Sequence, residues 1–336
     1  MGRGRIHAFG AALALLLGVS MHPVRAAEPI AFKVGLAALV NTALPLFLAE
    51  DAGLYRREGL KLALPEMGGG SKGAQALKTG AIQVMHVGLS GVIDSNSKGD
   101  DLRVIASLSN VIRFVFFTAP EIKQPQGLVG RTLGVSSFGS ESDSAVSLAL
   151  KKLGLTRDQV KIVEVGGSPQ RLAAIKSGTI QGAAVNEPAL TLAREQGLNP
   201  MVDLLAAHTP WLFTGLSVSR PYLEGHRPEL QRFMKATIEG AYIGLTDPAR
   251  AKQVIARDYK LTDPKIIDIT YTDFKEQMPR HAMPTKEAAA NVIDQLQAFG
   301  AKLKSSRIED YVDTSVIAAL ERDGTLAALD QKYGIK

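Results

Sequence analysis

Small polar side chains and glycines recur in six loops of this sequence, and each loop follows a short apolar run. Serine hydroxyls can donate or accept hydrogen bonds, and glycine lets a bound molecule approach backbone N–H groups. In a parallel α/β sheet, the loops at the carboxyl ends of the strands form the ligand-binding edge. The pattern therefore predicts a site for a small polar molecule, built from residues 40–43, 68–72, 88–91, 136–142, 166–169 and 186–188.

Hydroxyl and amide side chains make up most of the candidate ligand contacts in these loops. Ser71 and Ser168 stand at predicted helix starts, and in the fourth loop either Ser140 or Ser142 does the same. Free N–H groups and the positive end of the helix dipole favour an anion there, although each serine could instead only cap its helix. The candidates are Asn41, Thr42, Ser71, Ser90, Ser137, Phe138, Ser140, Ser142, Ser168 and Asn186.

Three charged or aromatic side chains complete the candidate site. Glu187 follows a predicted strand and could accept from a ligand amine or ring N–H. It could instead be the acid of a helix's first turn or part of a salt bridge that closes the lobes. Arg113 could pair with an anionic ligand or form a structural ion pair. Trp211, the only tryptophan, could wall the cleft or belong to the core. The sequence leaves these alternatives open.

Signatures of catalysis and of cofactor binding are missing from the sequence. There is no cysteine, and the motifs of serine hydrolases, zinc proteases and P-loop proteins do not occur. Residues 68–73 fit G-x-G-x-x-G, but no acidic residue follows at the spacing of a dinucleotide fold. Basic residues are not interleaved with aromatic ones, which argues against nucleic acid. We expect no enzyme activity, no cofactor and no metal site.

The elements that must position these residues occur twice in the chain. Residues 69–71 recur as 166–168, and residues 75–83 recur as 173–181, at offsets of 97 and 98. In both copies, short apolar runs of strand length alternate with runs of helical spacing, which predicts parallel sheets covered by helices. Two lobes built on one plan are expected, in agreement with 336 residues and a prior of about 150 residues per domain.

The chain passes between the predicted lobes twice. Apolar stretches rich in β-branched residues, at 111–118 and 212–218, lie where these crossings are expected. Two such crossings can act as a hinge. The mostly helical remainder of the chain would then complete the first lobe. The predicted boundaries are 27–112 with 217–336 for lobe 1, and 113–216 for lobe 2.

The first 26 residues have the composition of a secretory signal peptide. Arg3 and Arg5 precede an apolar run at 8–19 that is too short to span a bilayer, and residues 24–26 suit cleavage after Ala26. Removing the segment takes away three arginines and no acid, so the net charge falls from +6 to +3. The small remaining charge predicts no polyanionic partner, and we expect export to a periplasm.

Several of these motifs resemble those of a known protein family. The stretch ALPLFLAEDAGLYRREGL at 43–60 is similar to the first helix of periplasmic substrate-binding proteins of ABC importers. The similar group binds nitrate, sulfonate and taurine and has relatives that bind thiamine-pyrimidine precursors. The turn at 76–82, the Gly-Gly-Ser loop and residues 186–188 also resemble this group. The resemblance implies an α/β, two-lobed type II periplasmic binding fold, each lobe a mostly parallel sheet flanked by helices.

The resemblance also implies where a ligand binds and what the protein does. In that group, contacts come from positions that match 41–42, Ser71 and 137–142 here. Asn186 stands where the group often has an aromatic residue, which argues against nitrate or a simple sulfonate. The expected function is that of an extracytoplasmic monomer. It would deliver a small organic anion, such as a sulfonate or carboxylate, to permease and ATPase subunits in the inner membrane.

Two other functions remain compatible with the sequence. The same fold serves biosynthetic enzymes of the pyrimidine-precursor type, and a binding protein can also present its ligand to a membrane sensor kinase. The predicted signal peptide and the lack of a positioned base favour a binding protein over an enzyme. Import and sensing are not separated by the sequence, because the same lobe surfaces would serve both.

Overall fold

The computed structural model of this chain describes residues 1–2, 28–68 and 70–335, without the side chain of Ser71. The predicted signal peptide therefore lies outside the described residues, apart from its first two. The described residues form two five-stranded sheets flanked by helices. Among these residues, we find no helix that combines the length and the apolar character needed to cross a membrane.

Residues 28–68 and 70–335 contain ten strands and fourteen α-helices, which alternate through most of the chain. The strands are β1 (Ile30–Leu36), β2 (Leu60–Ala63), β3 (Val84–Val87), β4 (Leu102–Val111), β5 (Val115–Thr118), β6 (Thr132–Val135), β7 (Lys161–Glu164), β8 (Gly182–Val185), β9 (Asn199–Asp203) and β10 (Pro210–Ser219). The helices are α1 (Leu44–Asp51), α2 (Leu54–Arg57), α3 (Gly70–Lys78), α4 (Leu89–Ser97), α5 (Glu141–Lys152), α6 (Ser168–Lys176), α7 (Ala189–Glu195), α8 (Arg220–Gly225), α9 (Arg227–Thr246), α10 (Pro248–Asp258), α11 (Pro264–Gln277), α12 (Lys286–Ala298), α13 (Ser315–Arg322) and α14 (Thr325–Tyr333).

The two sheets have the same strand order. Sheet 1 runs β2-β1-β3-β10-β4, and sheet 2 runs β7-β6-β8-β5-β9. In each sheet four strands run parallel, and one strand, β10 or β5, is antiparallel to both of its neighbours. The fold class predicted from the sequence, two α/β lobes with mostly parallel sheets, is confirmed.

The antiparallel strand of each sheet is the one that follows a crossing between the lobes. The first crossing is 112–114, between β4 and β5, and the second is 204–209, between β9 and β10. The second crossing comes before the predicted boundary at 216, because β10 is a strand of sheet 1. A strand that is buried along nearly its whole length appears in the sequence as a continuous apolar run. The sequence alone does not distinguish such a strand from an apolar connection between the lobes. We call sheet 1 with α1–α4 and α8–α14 lobe 1, and sheet 2 with α5–α7 lobe 2.

Two details of the helices in lobe 1 follow from local structure and packing. The helical stretch at 44–57 is divided into α1 and α2, because Gly53 adopts a left-handed conformation (φ 67°) that ends α1. In addition, α11 and α14 belong to the mostly helical remainder that the sequence predicts after the second crossing. Both pack on lobe 1, where Phe274 of α11 and Leu329 of α14 join the core around α9.

An apolar cluster continues from one lobe into the other. It includes Ile93 and Trp211 of lobe 1 and Val135 and Ala145 of lobe 2, all nearly inaccessible to solvent. Burying apolar side chains stabilises a contact roughly in proportion to the area removed from water. The lobes are therefore held together partly by apolar packing.

Candidate functional site

A cavity of about 650 Å³ lies between the two lobes, at the carboxyl ends of the parallel strands. Lobe 1 contributes the loops after β1 and β3 and the start of α3, and lobe 2 contributes the loops after β6, β7 and β8. Phe114 of the first crossing and Phe213 of β10 also line it. The cavity thus occupies the sheet edges to which the sequence pattern assigns a ligand.

The loop after β6 presents hydroxyl groups to the cavity. Ser140 caps α5 by accepting from a backbone N–H in the first turn at 3.4 Å, which is the capping role considered for it. Ser142 Oγ accepts from the backbone N–H of Ser136 at 2.8 Å. Ser137 and Phe138 also line the cavity, and Phe138 is 48% exposed. Four of the predicted contacts therefore lie together on lobe 2.

Arg171, which is not among the sequence-based candidates, is a buried cation beside this cavity. Its Nε donates to the carbonyl of Ala184 at 3.0 Å, and its Nη2 donates to Ser168 Oγ at 2.8 Å. Its Nη1 donates to the carbonyl of Gly166. Burial lowers its pKa to about 9, and among the described residues no carboxylate offsets that effect. The guanidinium stays charged at neutral pH, and an anion in the cavity could neutralise it.

A signal in the sequence could have identified Arg171. It shares the buried side of α6 with Leu172 and Ile175. A charged residue on the apolar face of a short helix is rarely buried without a reason. The repeat adds a second signal, because the first copy has a small residue, Gly73 or Ala74, at the position that corresponds to Arg171.

Ser168 and Asn186 form a polar pair next to Arg171. Ser168 Oγ donates to Asn186 Oδ1 at 2.7 Å, and both residues are buried and line the cavity. Ser168 follows the N-cap Gly167, and its Oγ accepts from Arg171 Nη2 and from the backbone N–H of Asn186 at 3.4 Å, so it is not the cap of α6. The structure brings these two predicted contacts together with the buried guanidinium.

Glu187 lines the cavity but already has partners within lobe 2. Its carboxylate accepts from the backbone N–H of Thr191 at 3.2 Å and from the Thr191 hydroxyl at 2.9 Å. Burial raises the pKa of Glu187, and these hydrogen bonds partly oppose the rise. Glu187 thus lies just before Pro188, the N-cap of α7, and is not an acid of the first turn, although it accepts from Thr191 in that turn.

Part of the lobe 1 wall of the cavity is apolar where the sequence predicts polar contacts, while charged residues such as Glu66 and Lys98 line other parts of it. Residues 37–40, which are two alanines, a leucine and a valine, form the apolar part together with Tyr259 and Leu261. The Tyr259 hydroxyl donates to the carbonyl of Val40 at 2.9 Å, so its polar end is already satisfied. We refer to 37–40, Tyr259 and Leu261 as the apolar wall.

Asn41 and Thr42 are not among the described residues that line the cavity. The short 3₁₀ helix at 41–43 buries both in lobe 1, where Asn41 donates to Asp273 and Thr42 Oγ1 lies 3.0 Å from His86 Nε2. His86 does line the cavity, and burial lowers its pKa to about 4, so its ring is neutral at pH 7. Ser71 lies in the first turn of α3, and its side chain is outside the description.

Comparison with known proteins identifies the family of this chain. Residues 41–251, more than half of the chain, match the family model described as NMT1/THI5 like. The chain belongs to the NMT1/THI5-like family. No curated protein sequence matches it.

Solved structures similar to this NMT1/THI5-like protein have the same two-lobed fold. A structure from Bordetella bronchiseptica RB50 is 20% identical, with a TM-score of 0.77, covering 91% of this chain and 99% of that one. The periplasmic aliphatic sulphonate binding protein SsuA from Escherichia coli is 21% identical, with a TM-score of 0.62 and coverages of 81% and 92%. The periplasmic nitrate-binding protein NrtA from Synechocystis PCC 6803 is 15% identical, with a TM-score of 0.68 and coverages of 91% and 89%.

In this NMT1/THI5-like protein, Arg113 forms the structural ion pair that was one of its two alternatives. Its guanidinium pairs with Asp273 of α11, which also accepts from Asn41 and from Gln277 at 3.0 Å. Arg113 lies in the first crossing and is not among the described lining residues of the cavity. The pair joins the crossing to lobe 1.

Ser90 and Trp211 lie at the contact between the lobes of this NMT1/THI5-like protein. Both are buried, and both donate to Glu141 of lobe 2: the Ser90 backbone N–H to Oε1 at 2.8 Å, and Trp211 Nε1 to Oε2 at 2.5 Å. Trp211 belongs to the interlobe apolar cluster, which agrees with the alternative that this tryptophan is part of the core. Glu141 is a further residue that the sequence-based candidates miss.

Proposed function

We propose that this protein is the extracytoplasmic solute-binding component of an ABC-type importer, and that it binds a small organic anion in the interlobe cavity. The observation that carries the proposal is Arg171, a buried guanidinium beside the cavity without a carboxylate partner among the described residues. A buried unpaired charge costs several kcal/mol, so a bound anion would be stabilised there. The names of the similar proteins, which bind sulphonate and nitrate, support an anionic ligand.

The size and lining of the cavity support an organic rather than an inorganic anion. Its volume, about 650 Å³, lies within the range of roughly 300–1,000 Å³ that is common for organic ligands. The apolar wall lies on lobe 1, whose charged lining residues are Lys98 and three carboxylates, whereas Arg171 and the loop after β6 lie on lobe 2. A ligand with an anionic group toward lobe 2 and a carbon body toward lobe 1 would satisfy both surfaces.

A homologous series of ligands tests this proposal. Alkanesulfonates and alkanecarboxylates of one to eight carbons are titrated into the purified protein by calorimetry, with alkanols of the same lengths as neutral controls. We expect Kd to fall about fourfold per added CH₂ until the cavity is filled, because burying one CH₂ contributes about 0.8 kcal/mol. Equal affinity for the alkanols would show that the anionic group of the ligand is not needed for binding. No binding by any member of the series would contradict it altogether.

The transport role needs evidence from cells. Export predicts that mass spectrometry of the protein from the periplasmic fraction finds a chain that begins at Ala27. Import predicts that deleting the permease gene nearest to this gene abolishes uptake of the radiolabelled ligand. Retained uptake in that deletion strain, together with loss of a transcriptional response when this gene is deleted, would instead support a sensing role.

A further inference from the structure

Asp273 of α11 is a buried carboxylate that accepts hydrogen bonds from three parts of the chain. Its donors are the Arg113 guanidinium of the first crossing, the side-chain amide of Asn41, and Gln277 Nε2 at 3.0 Å. Asp273, Arg113 and Asn41 are each at most 8% exposed. Charge-assisted hydrogen bonds are stronger than neutral ones, so these donors fix the three parts relative to one another.

Asn41 lies at the end of the loop that forms part of the apolar wall. Residues 37–40 belong to no helix or strand, β1 ends just before them, and the 3₁₀ helix that begins at Asn41 follows them. The Val40 carbonyl accepts from the Tyr259 hydroxyl at 2.9 Å, which joins two parts of the wall. The bond from Asn41 to Asp273 then ties the far end of the loop to α11.

Arg113 connects this arrangement to the part of the chain that joins the lobes. It lies in the first crossing, between β4 of lobe 1 and β5 of lobe 2. The carbonyl of the next residue, Phe114, accepts from the backbone N–H groups of Leu204 and Leu205 in the second crossing at 3.1 and 3.2 Å. The loop of the apolar wall is therefore linked, through Asp273, to both crossings.

We propose that Asn41 is a positioning residue that holds the apolar wall at a fixed distance from Arg171, and that it thereby determines how strongly the cavity selects for the carbon chain of its ligand. Asn41 is 2% exposed and is not among the described residues that line the cavity, so it acts on a ligand only through the loop that it holds. The selection of a ligand rests on the proposed function, whereas the anchoring of the loop does not.

The two lobes divide the recognition of such a ligand between them. Its anionic group would bind at Arg171 in lobe 2, and its carbon chain would lie against residues 37–40 in lobe 1. Each CH₂ removed from water raises the affinity about fourfold while the wall stays in contact with the chain. Without the amide of Asn41 the loop can move away from the chain, which leaves part of the chain in water. The loss of affinity should therefore grow with chain length and be absent for the shortest anion.

The variant Asn41→Ala separates this role from a general loss of stability. Gln277→Ala is the matched control, because it removes another donor from the same carboxylate and lies on α11 rather than on the wall. Methanesulfonate and butanesulfonate differ by three CH₂ groups, so calorimetric titration should give Kd values about sixtyfold apart for the wild type and the control. For Asn41→Ala we expect about twofold per CH₂, or about eightfold in all, with an unchanged Kd for methanesulfonate.

Hydrogen exchange tests the anchoring of the loop without any ligand. The backbone N–H of Ala37 donates to the carbonyl of His86 at 3.2 Å, and that of Ala43 donates to the carbonyl of Val40 at 2.9 Å. In Asn41→Ala, both amides should exchange at least about tenfold faster than in the wild type or in Gln277→Ala, because local opening becomes easier. In the wild-type protein, NMR should find the side-chain amide protons of Asn41 protected from exchange, which keeps the test valid if the variant fails to fold.

Three outcomes would contradict different parts of this account. An unchanged ratio of the two Kd values in Asn41→Ala, equal weakening of both sulfonates, or the same loss of selectivity in Gln277→Ala would overturn the role of Asn41 in selection. Asn41 amide protons that exchange as fast as those of an exposed asparagine would overturn the anchoring. A wild type that binds no member of the ligand series would overturn the proposed function and the selection with it, while hydrogen exchange would still decide whether Asn41 anchors the loop.

Discussion

At Arg171, a full charge is held in the protein by two backbone carbonyls and one hydroxyl. These neutral acceptors fix the orientation of the guanidinium but do not neutralise it. The planar fork of arginine matches the oxygens of a carboxylate or sulfonate, which a lysine cannot reproduce. The protein therefore orients the Arg171 guanidinium, whereas an anionic ligand would neutralise its charge.

We expect Arg171→Gln to weaken binding of every anion in the homologous series at least tenfold, because each loses a charge-assisted hydrogen bond worth about 1.5–3 kcal/mol. Arg171→Lys should recover only part of the affinity. Calorimetric titration measures both effects. Arg131→Gln removes an exposed arginine that does not line the cavity, and it should bind like the wild type. Unchanged affinity in Arg171→Gln would show that the anion binds elsewhere.

At the scale of single residues, the sequence predicts which loops form the site better than which side chains face it. The residues Ser137, Phe138, Ser140, Ser142, Ser168, Asn186 and Glu187 line the cavity, as the loop pattern suggests. A single 3₁₀ turn buries the side chains of Asn41 and Thr42 in lobe 1, and the spacing of residues in the sequence does not predict that orientation. Arg171 and Glu141 were missed because their contacts arise from tertiary packing, within lobe 2 for Arg171 and between the lobes for Glu141.

Among the helices, the start of α5 serves the fold and the cavity at once. Ser140 caps this helix and its side chain also lines the cavity. We expect Ser140→Ala to lower the free energy of unfolding by about 1 kcal/mol, as loss of a serine cap usually does. Denaturant unfolding monitored by circular dichroism measures the change. An unchanged midpoint and slope would show that the cap contributes nothing and that Ser140 serves the cavity alone.

The loop between β3 and α4 depends on a missing side chain at Gly88. We expect Gly88→Ala to destabilise the protein by about 1–3 kcal/mol and to hold the lobes apart, because its methyl group meets Glu141 and the carbonyl of Phe213. Thermal unfolding and the radius of gyration measure the two effects. Gly225→Ala is the matched control, because no atom lies within 4 Å of the position that its Cβ would take and its φ is not positive. Equal behaviour of the two variants would contradict the expected clash.

At the scale of elements, repetition makes most of the fold predictable. Two copies of one pattern at a constant offset predict two similar sheets, and the strand orders agree. The prediction fails where a strand leaves the pattern. β10 follows lobe 2 in sequence but lies between β3 and β4 in lobe 1, and only tertiary pairing assigns it there. The bounds of helix α11 are hard to predict from the sequence, because its buried residues include polar ones, such as Thr270 and Asp273.

For the whole molecule, the two lobes differ in how continuous they are in the chain. All five strands of lobe 2 lie between residues 115 and 203, whereas lobe 1 is made from both ends of the chain. We expect a fragment of residues 113–209 to fold cooperatively, because its sheet is complete. A fragment of residues 28–112 should not, because it lacks β10.

Circular dichroism with urea unfolding compares the two fragments. A sigmoidal transition is expected for 113–209 and none for 28–112. The 113–209 fragment should be less stable than the full chain, since the interlobe apolar cluster is cut at Val135 and Ala145. A cooperative transition in the 28–112 fragment would show that sheet 1 tolerates the loss of the strand between β3 and β4.

The position of β10 also sets an order of events during protein synthesis. A ribosome delivers the chain from its N-terminus, so β1–β4 emerge roughly a hundred residues before the strand that must lie between β3 and β4. Until then, the facing edges of β3 and β4 have no partner in sheet 1, and such edges pair readily with other chains. The half-made lobe must stay unfolded, or be held by a chaperone, while lobe 2 is completed. An unfolded chain is also the form that a secretion channel threads, so this arrangement of strands would suit the export proposed for this protein.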